Sequence, residues 1–415
     1  MGCRVPRLLF LCCLLAVLSA CVNAGDDGEA AEAGSLGRVY AVGSVGGPDC
    51  PILSVDEGRF TVMSPAGVEH VMLGGLHDAV PLAVPPTIDA LVGQPLEIYF
   101  DNLIRGHGPD HAWSVCAPTG VQTAHRWSMS AESAGSVPLH IVVWDGGRSS
   151  PLGVAFAQVR VHPTDAGAGQ GPKVLFLGDS TTASGEYIAD LQERMSADVM
   201  SVQPVGTLPP AKRIHEGRSG WRIATYHSQP KFEIAGASAA NPFLFDDQFD
   251  FGRYLTEHDV PKPDAFVVAL GTNDVYAIDH DDVLAARIDQ MLVQLDDIIA
   301  SVLAAEPDMA VAIGLTIVPC STESGFVASY GVARRARVKR NIVQWAQAAI
   351  DHYRSRPGID LIALNARIDP MLGYPTAPGP AGKVRHTNAL HPSDVGYGQM
   401  AATIHAWLKG AAVSL

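Results

Sequence analysis

The sequence predicts an α/β protein in two parts. An antiparallel β-sandwich spans residues 36–163, and a three-layer, doubly wound domain with five parallel strands spans 173–415. Three observations carry this. From residue 36 to about 162, short alternating or apolar runs are separated by Gly and Pro clusters, and long helical periodicity is missing. Beyond Lys173, apolar runs of strand length alternate with long helical patterns, the mark of βαβ units. Between them, residues 164–172 are rich in Gly and Ala and read as a hinge.

In chain order, the first element is a leader. Arg4 and Arg7 form a basic start, residues 8–17 an apolar run, and Leu18-Ser19-Ala20-Cys21 the end. The run is too short to span a bilayer as a mature helix, so residues 1–20 read as a secretory signal. Its ending resembles a bacterial lipobox, which implies that Cys21 is lipidated and becomes the mature N-terminus. Residues 21–35 are small and acidic, with Asp26, Asp27, Glu29 and Glu32, and suit a flexible tether. Val22 after the cysteine carries no inner-membrane retention signal. The expected location is therefore the bacterial cell envelope, at the outer membrane, with the lipid as the one membrane contact.

The sandwich strands are expected at 39–42, 60–63, 95–100, 140–144 and 154–161. Trp113, Trp127 and Trp144 read first as core residues and second as a sugar-binding surface. Seven cysteines divide into Cys3, Cys12, Cys13 and Cys21 near the leader and three beyond it. In an oxidising compartment Cys50 and Cys116 are candidates to pair, leaving Cys320 an unpaired core thiol. No Cys/His spacing suggests a metal site, and no cofactor is expected. The formal net charge of −14 argues against nucleic acid and anionic membrane surfaces as partners.

In the second part, strands are expected at 174–177, 199–205, 265–270, 310–317 and 361–364. Helices are expected at 185–195, 282–304, 333–354 and 393–408. The helix at 333–354 opens with Arg334, Arg335, Arg337, Lys339 and Arg340, read as a solvated face. Residues 230–262 are long for a connector and are a candidate wall of a cleft.

Four short segments carry chemistry. The strand at 174–177 runs into Gly178-Asp179-Ser180, which places a serine hydroxyl at the C-terminal edge of the sheet. Glu216-Gly217-Arg218-Ser219-Gly220-Trp221 forms a glycine-bearing loop. The strand at 265–270 ends in Gly271-Thr272-Asn273-Asp274. Asn388-Ala389-Leu390-His391-Pro392-Ser393 precedes Gly396-Tyr397.

In this order the four segments resemble the blocks of the SGNH (GDSL-type) hydrolases, over roughly residues 173–415. The resemblance implies a flavodoxin-like core. Ser180 matches the nucleophile, His391 the general base, and Ser180, Gly220 and Asn273 the oxyanion donors; Gly217 is the alternative to Gly220. A serine hydroxyl is a weak nucleophile until an imidazole accepts its proton, and the tetrahedral oxyanion needs N–H donors. One position departs from the pattern: where the family has an aspartate three residues before the histidine, this chain has Asn388. An amide can accept from a ring N–H but cannot stabilise an imidazolium as a carboxylate does. A Ser-His dyad aided by Asn388 or a backbone carbonyl, another acid, and loss of activity stay open. Asp394 is expected to cap the last helix. Some relatives carry an immunoglobulin-like or jelly-roll domain before the catalytic one. The implied activity is hydrolysis of a small acyl ester, acetyl first, on a carbohydrate or related alcohol. A lipase or lysophospholipase, or a surface binding protein with a relic core, are the alternatives. The sequence leaves the oligomeric state open.

Overall fold

The computed structural model describes residues 50–411 except 57–58, 65–66, 73–79, 107–110, 148–150, 209–213, 235–236 and 380–382. The leader at 1–20, Cys21, the tether at 21–35 and the strand expected at 39–42 lie outside the described residues.

Among the described residues, 50–162 carry ten strands. β1 (Ile52–Asp56), β2 (Arg59–Ser64) and β3 (Gly67–Met72) form an antiparallel meander. β4 (Thr87–Leu91), β5 (Pro95–Tyr99), β6 (His111–Cys116), β7 (Val121–Gln122), β8 (Arg126–Ser130), β9 (Gly135–Asp145) and β10 (Pro151–His162) follow. They build two sheets, ordered β4-β10-β9-β6 and β5-β8-β7, with β4 parallel to β10 and the other neighbours antiparallel. Alternation of buried and outward positions along β10 follows from the period of two in a strand. Trp113, Trp127 and Trp144 are 7%, 0% and 3% exposed, so all three are core residues. Cys50 and Cys116 form a disulfide, and Cys320 is free and buried.

The α/β part is built on β11 (Lys173–Gly178), β12 (Gln203–Val205) and β13 (Glu216–Gly217). Two small hairpins come next, β14 (Lys231–Ile234) with β15 (Ala237–Ala240) and β16 (Leu244–Phe245) with β17 (Gln248–Phe249). β18 (Ala265–Ala269), β19 (Ala310–Gly314) and β20 (Ile359–Ile362) complete the sheet. Its order is β12-β11-β18-β19-β20, with β13 also pairing β11 and every neighbour parallel. Counted from β11, the main path reads 2-1-3-4-5, the flavodoxin-like order. The helices are α1 (Ser180–Ala183), α2 (Glu186–Ala197), α3 (Ile223–Ser228), α4 (Phe251–Glu257), α5 (Thr272–Val275), α6 (Asp281–Ala305), α7 (Glu323–Tyr330), α8 (Arg335–Tyr353), α9 (Leu364–Arg367) and α10 (Asp394–Ala411). α2 packs on α10, and α6 gathers α3, α4 and α8. The chain leaves β11 for β12 on one side and returns to β18 on the other. The crevice for a ligand therefore opens past the C-terminal ends of β11 and β18.

Two readings are corrected. The strand expected at 199–205 is confined to Gln203–Val205, because Val199 is left-handed at φ 57° in the turn that ends α2. The basic start of α8 is not all a solvated face. Arg335 and Lys339 are 5% and 0% exposed and both bind the Asp101 carboxylate, at 2.9 and 2.6 Å. Buried cations need such partners, and only the tertiary fold brings Asp101, from the first part of the chain, to them. Further bonds cross the same junction: Asn102 Nδ2 donates to the Ile368 carbonyl and Asn365 Nδ2 to the Ala83 carbonyl.

Candidate active site

Ser180 is the first residue of α1, directly after β11. Asp179 caps that helix, its Oδ1 accepting from the Thr181 N–H at 3.0 Å and the Thr181 hydroxyl at 2.9 Å. This is the usual role of Asp at an N-cap, and it fixes the turn that presents the serine. Burial raises the Asp179 carboxyl above its ordinary value, opposed by the Thr181 bonds and by the His391 charge. The His391 Nε2 lies 2.8 Å from Ser180 Oγ. Both side chains are part-exposed, so solvent and substrate reach the pair.

The glycine loop is held from behind. Glu216 is fully buried. Its carboxylate accepts from the Arg218 guanidinium at 2.6 Å, the Thr207 hydroxyl at 2.6 Å, the Tyr254 hydroxyl at 2.8 Å and the Thr207 N–H. The Tyr226 hydroxyl reaches the carbonyls of Gly178 and Glu216, tying the loop to the end of the nucleophile strand. Tyr254, from the 230–262 segment, also stacks on Phe243. That segment supplies core behind the loop. Sequence reasoning missed this network: Tyr254 lies 38 residues from Glu216, and no local pattern joins them.

The two glycines take different tasks. The Gly217 N–H donates to His215 Nδ1 at 3.0 Å, and a Cβ on Gly217 would meet the Ala183 nitrogen at 2.5 Å. Gly217 is thus a close-packing position with its donor already engaged. Gly220 sits at φ 79°, a left-handed conformation that suits glycine, in the turn closed by Trp221 N–H donating to the Arg218 carbonyl.

Asn273 lies in α5, past the end of β18. Its Nδ2 donates to the Trp221 carbonyl at 3.0 Å. An amide nitrogen carries two hydrogens, so one fixes the side chain to the glycine loop and the second is not used in that bond. The neighbouring Asp274 accepts from the Ile223 N–H at 3.1 and 3.2 Å, holding the far end of that loop. Burial pushes the Asp274 carboxyl up to about 7, against the pull of the Ile223 bond, Arg222 and Arg287.

The histidine side is sparser. Asn388 is one of several candidates to orient the imidazole. Its Oδ1 accepts from the backbone N–H groups of Leu390 and His391, both at 3.0 Å, so it shapes the loop, and among the described residues no hydrogen bond joins it to the ring. Among the described residues His391 makes no ion pair, and its Nδ1 has no hydrogen-bond partner. Asp394 begins α10 and lines a cavity with residues of α2 and α10. The loop is anchored further by the Cys320 N–H, which donates to the Ala389 carbonyl. Among the described residues no cluster of three or more His, Cys, Asp or Glu is placed to hold a metal.

The arrangement brings a hydroxyl, a base and two kinds of N–H donor to one sheet edge, the requirements of acyl transfer. A family model described as the GDSL-like Lipase/Acylhydrolase family matches residues 176–399. Solved structures to which the chain is similar include a family 3 carbohydrate esterase of Clostridium thermocellum, at 18% identity over 58% of this chain and 94% of that one, with a TM-score of 0.33. A family 3 carbohydrate esterase of Talaromyces cellulolyticus matches at 18% over 59% and 99%, with a TM-score of 0.35. A GDSL-like lipase of Bacteroides thetaiotaomicron matches at 17% over 58% and 89%, with a TM-score of 0.31. No curated protein matches the chain. The chain belongs to the GDSL-like lipase/acylhydrolase family and is an ester hydrolase.

Proposed function

We propose that the protein is an exported serine esterase that removes a small acyl group, acetyl first, from a carbohydrate or related alcohol. The observation that carries the reading is the 2.8 Å contact between Ser180 Oγ and His391 Nε2. Ser180 Oγ attacks the ester carbonyl carbon as its proton passes to His391 Nε2. The negative oxygen that forms is met by the N–H groups of Ser180 and Gly220 and by the second Asn273 hydrogen. When the C–O bond breaks, the alcohol leaves with the proton from His391. Water, deprotonated by the same nitrogen, then releases the acid and regenerates the serine. With no acid on its Nδ1, His391 works with Ser180 as a dyad.

A carbohydrate alcohol part is favoured by Tyr276, three residues beyond Asn273. Its ring lies 5.3 Å from that of the exposed Tyr330, tilted at 51° to it, an aromatic pair that can pack on the C–H side of a sugar. In this reading β4–β10, inside the 36–163 region, form an immunoglobulin-like sandwich. It is supported by the sheet orders β5-β8-β7 and β10-β9-β6, which follow the B-E-D and G-F-C arrangement, with β4 added beside β10. The linker at 164–172 and a lipid on Cys21 at the outer membrane complete the proposal.

The test is acetate release from a panel of acetylated glycans, with acetate and octanoate esters of one chromogenic alcohol compared in parallel. The reading expects glycan deacetylation and a kcat/KM at least about tenfold higher for acetate. A preference for octanoate would make the protein a lipase. No turnover of any ester would make it a binding protein.

A further inference from the structure

We propose that the junction between the β-rich part and the α/β part holds a second binding site, for a carboxylate anion, centred on Arg367. A cavity of about 340 Å³ lies there, lined from one side by β4 and β5 and from the other by α2, α9 and α10. That volume falls within the usual range of small-molecule sites, which favour domain interfaces.

Arg367 gives the cavity its chemistry. It lies at the end of α9, is 7% exposed and lines the cavity wall. Its guanidinium makes only two long bonds, Nη1 to the Asp89 carbonyl at 3.4 Å and Nη2 to the Pro95 carbonyl at 3.3 Å. It makes no ion pair among the described residues. A buried cation of this kind is costly unless an anion neutralises it. Three of the four acids around it are engaged elsewhere, and the fourth, Asp394, is an exposed residue of the cavity rim. Asp89 binds Arg160 and His162, Glu97 binds Arg126 and the Tyr99 hydroxyl, and Asp190 binds Arg194. The buried Lys339 shows the contrast, since it has its own carboxylate in Asp101. Arg194 lines the same cavity with its guanidinium paired to Asp190 at 3.1 Å. A planar carboxylate accepts two parallel N–H bonds from one guanidinium, which supplies what Arg367 lacks. Arg367 touches neither Ser180 nor His391, so the site is separate from ester cleavage.

Two sources carry this chemistry: a small free acid such as acetate, and an acidic sugar residue of a glycan. The experiment titrates the full chain with sodium acetate, sodium glucuronate and neutral glucose, followed by NMR of the protein. Arg367→Gln removes the charge. Ala402→Phe fills the cavity from α10 and keeps the arginine. The expected result is saturable binding of a carboxylate and none of glucose. Both variants should weaken that binding at least about tenfold, while hydrolysis of a chromogenic acetate ester stays within about twofold of wild type. Tighter binding of glucuronate than acetate would assign the site to acidic glycans, and the reverse to small acids. If Arg367→Gln fails to fold, Ala402→Phe alone decides. No saturable carboxylate binding, or binding that survives Ala402→Phe unchanged, would overturn the proposal.

Discussion

Around Ser180 and the glycine loop, buried polar side chains hold the backbone from several directions at once. The His391 ring, by contrast, has one hydrogen bond among the described residues, to the serine itself. On the first side Asp179, Glu216, Tyr226, Tyr254, Asn273 and Asp274 each grip the backbone or a neighbouring polar group. On the second, Asn388 holds the loop and leaves the imidazole to its contact with Ser180. In the proposed mechanism rigidity is concentrated where charge would develop, at the oxyanion, and this is where preorganised donors contribute most. The base needs only reach and a free lone pair. The serine side should therefore answer mutation with large losses and the Asn388 side with small ones.

The largest effect is expected at the pair itself. Ser180→Ala and His391→Ala should each lower kcat for an acetate ester by about a thousandfold or more, with unchanged circular dichroism. Turnover within tenfold of wild type in either would break the assignment.

Next is the buried support. Glu216→Gln leaves Arg218 without its carboxylate, and breaking a buried pair typically costs about 3–5 kcal/mol. A large fall in Tm is expected, together with a drop in kcat greater than any change in KM, since the loop serves the oxyanion. A variant as stable and active as wild type would show that this network does not hold the loop.

Smaller, and dependent on pH, is Asp274. Its folded value of about 7 compares with about 3.9 in an unfolded chain. Between these values the unfolded chain has released the proton that the folded chain retains, so this group's contribution to stability falls as pH rises through the window. Asp274→Asn keeps an acceptor oxygen for Ile223 and removes the titration. Its Tm relative to wild type should climb from about pH 4 to about pH 7 and then level off. A difference that stays flat with pH would show that the carboxyl is already ionised in the fold.

Smallest of all is Asn388. Asn388→Ala loses bonds to two backbone N–H groups, each worth about 0.5–1.5 kcal/mol, and should lower stability while kcat stays within about tenfold. Asn388→Asp keeps an acceptor and should likewise stay within about tenfold. A thousandfold loss in folded Asn388→Ala would make Asn388 a catalytic partner and remove the contrast between the two sides.

The contrast also marks what the sequence makes legible. The turn after each strand could be read, because apolar runs ending in Gly-Asp-Ser and Gly-Thr-Asn-Asp are local signals. The place of His391 beside Ser180, 211 residues away, came through the family resemblance. The role of Asn388 stays open in the sequence because its spacing from His391 suits either the ring or the backbone N–H, and only coordinates separate them. Glu216, Tyr254 and Asp274 went unnoticed because their partners are brought together by the sheet's crossovers. The same reason hid the Asp101 carboxylate between Arg335 and Lys339, and with it the burial of a helix start that composition alone presents as solvated.

The central claim is that Ser180, activated by His391 alone, is the nucleophile. The most direct measurement treats the full chain with a serine-directed fluorophosphonate and maps the adduct by mass spectrometry. The dyad account predicts one adduct, on Ser180, whose formation slows at least about a hundredfold in His391→Ala and stays near wild type in Asn388→Ala. An adduct on another serine, or labelling of Ser180 indifferent to His391, would contradict it.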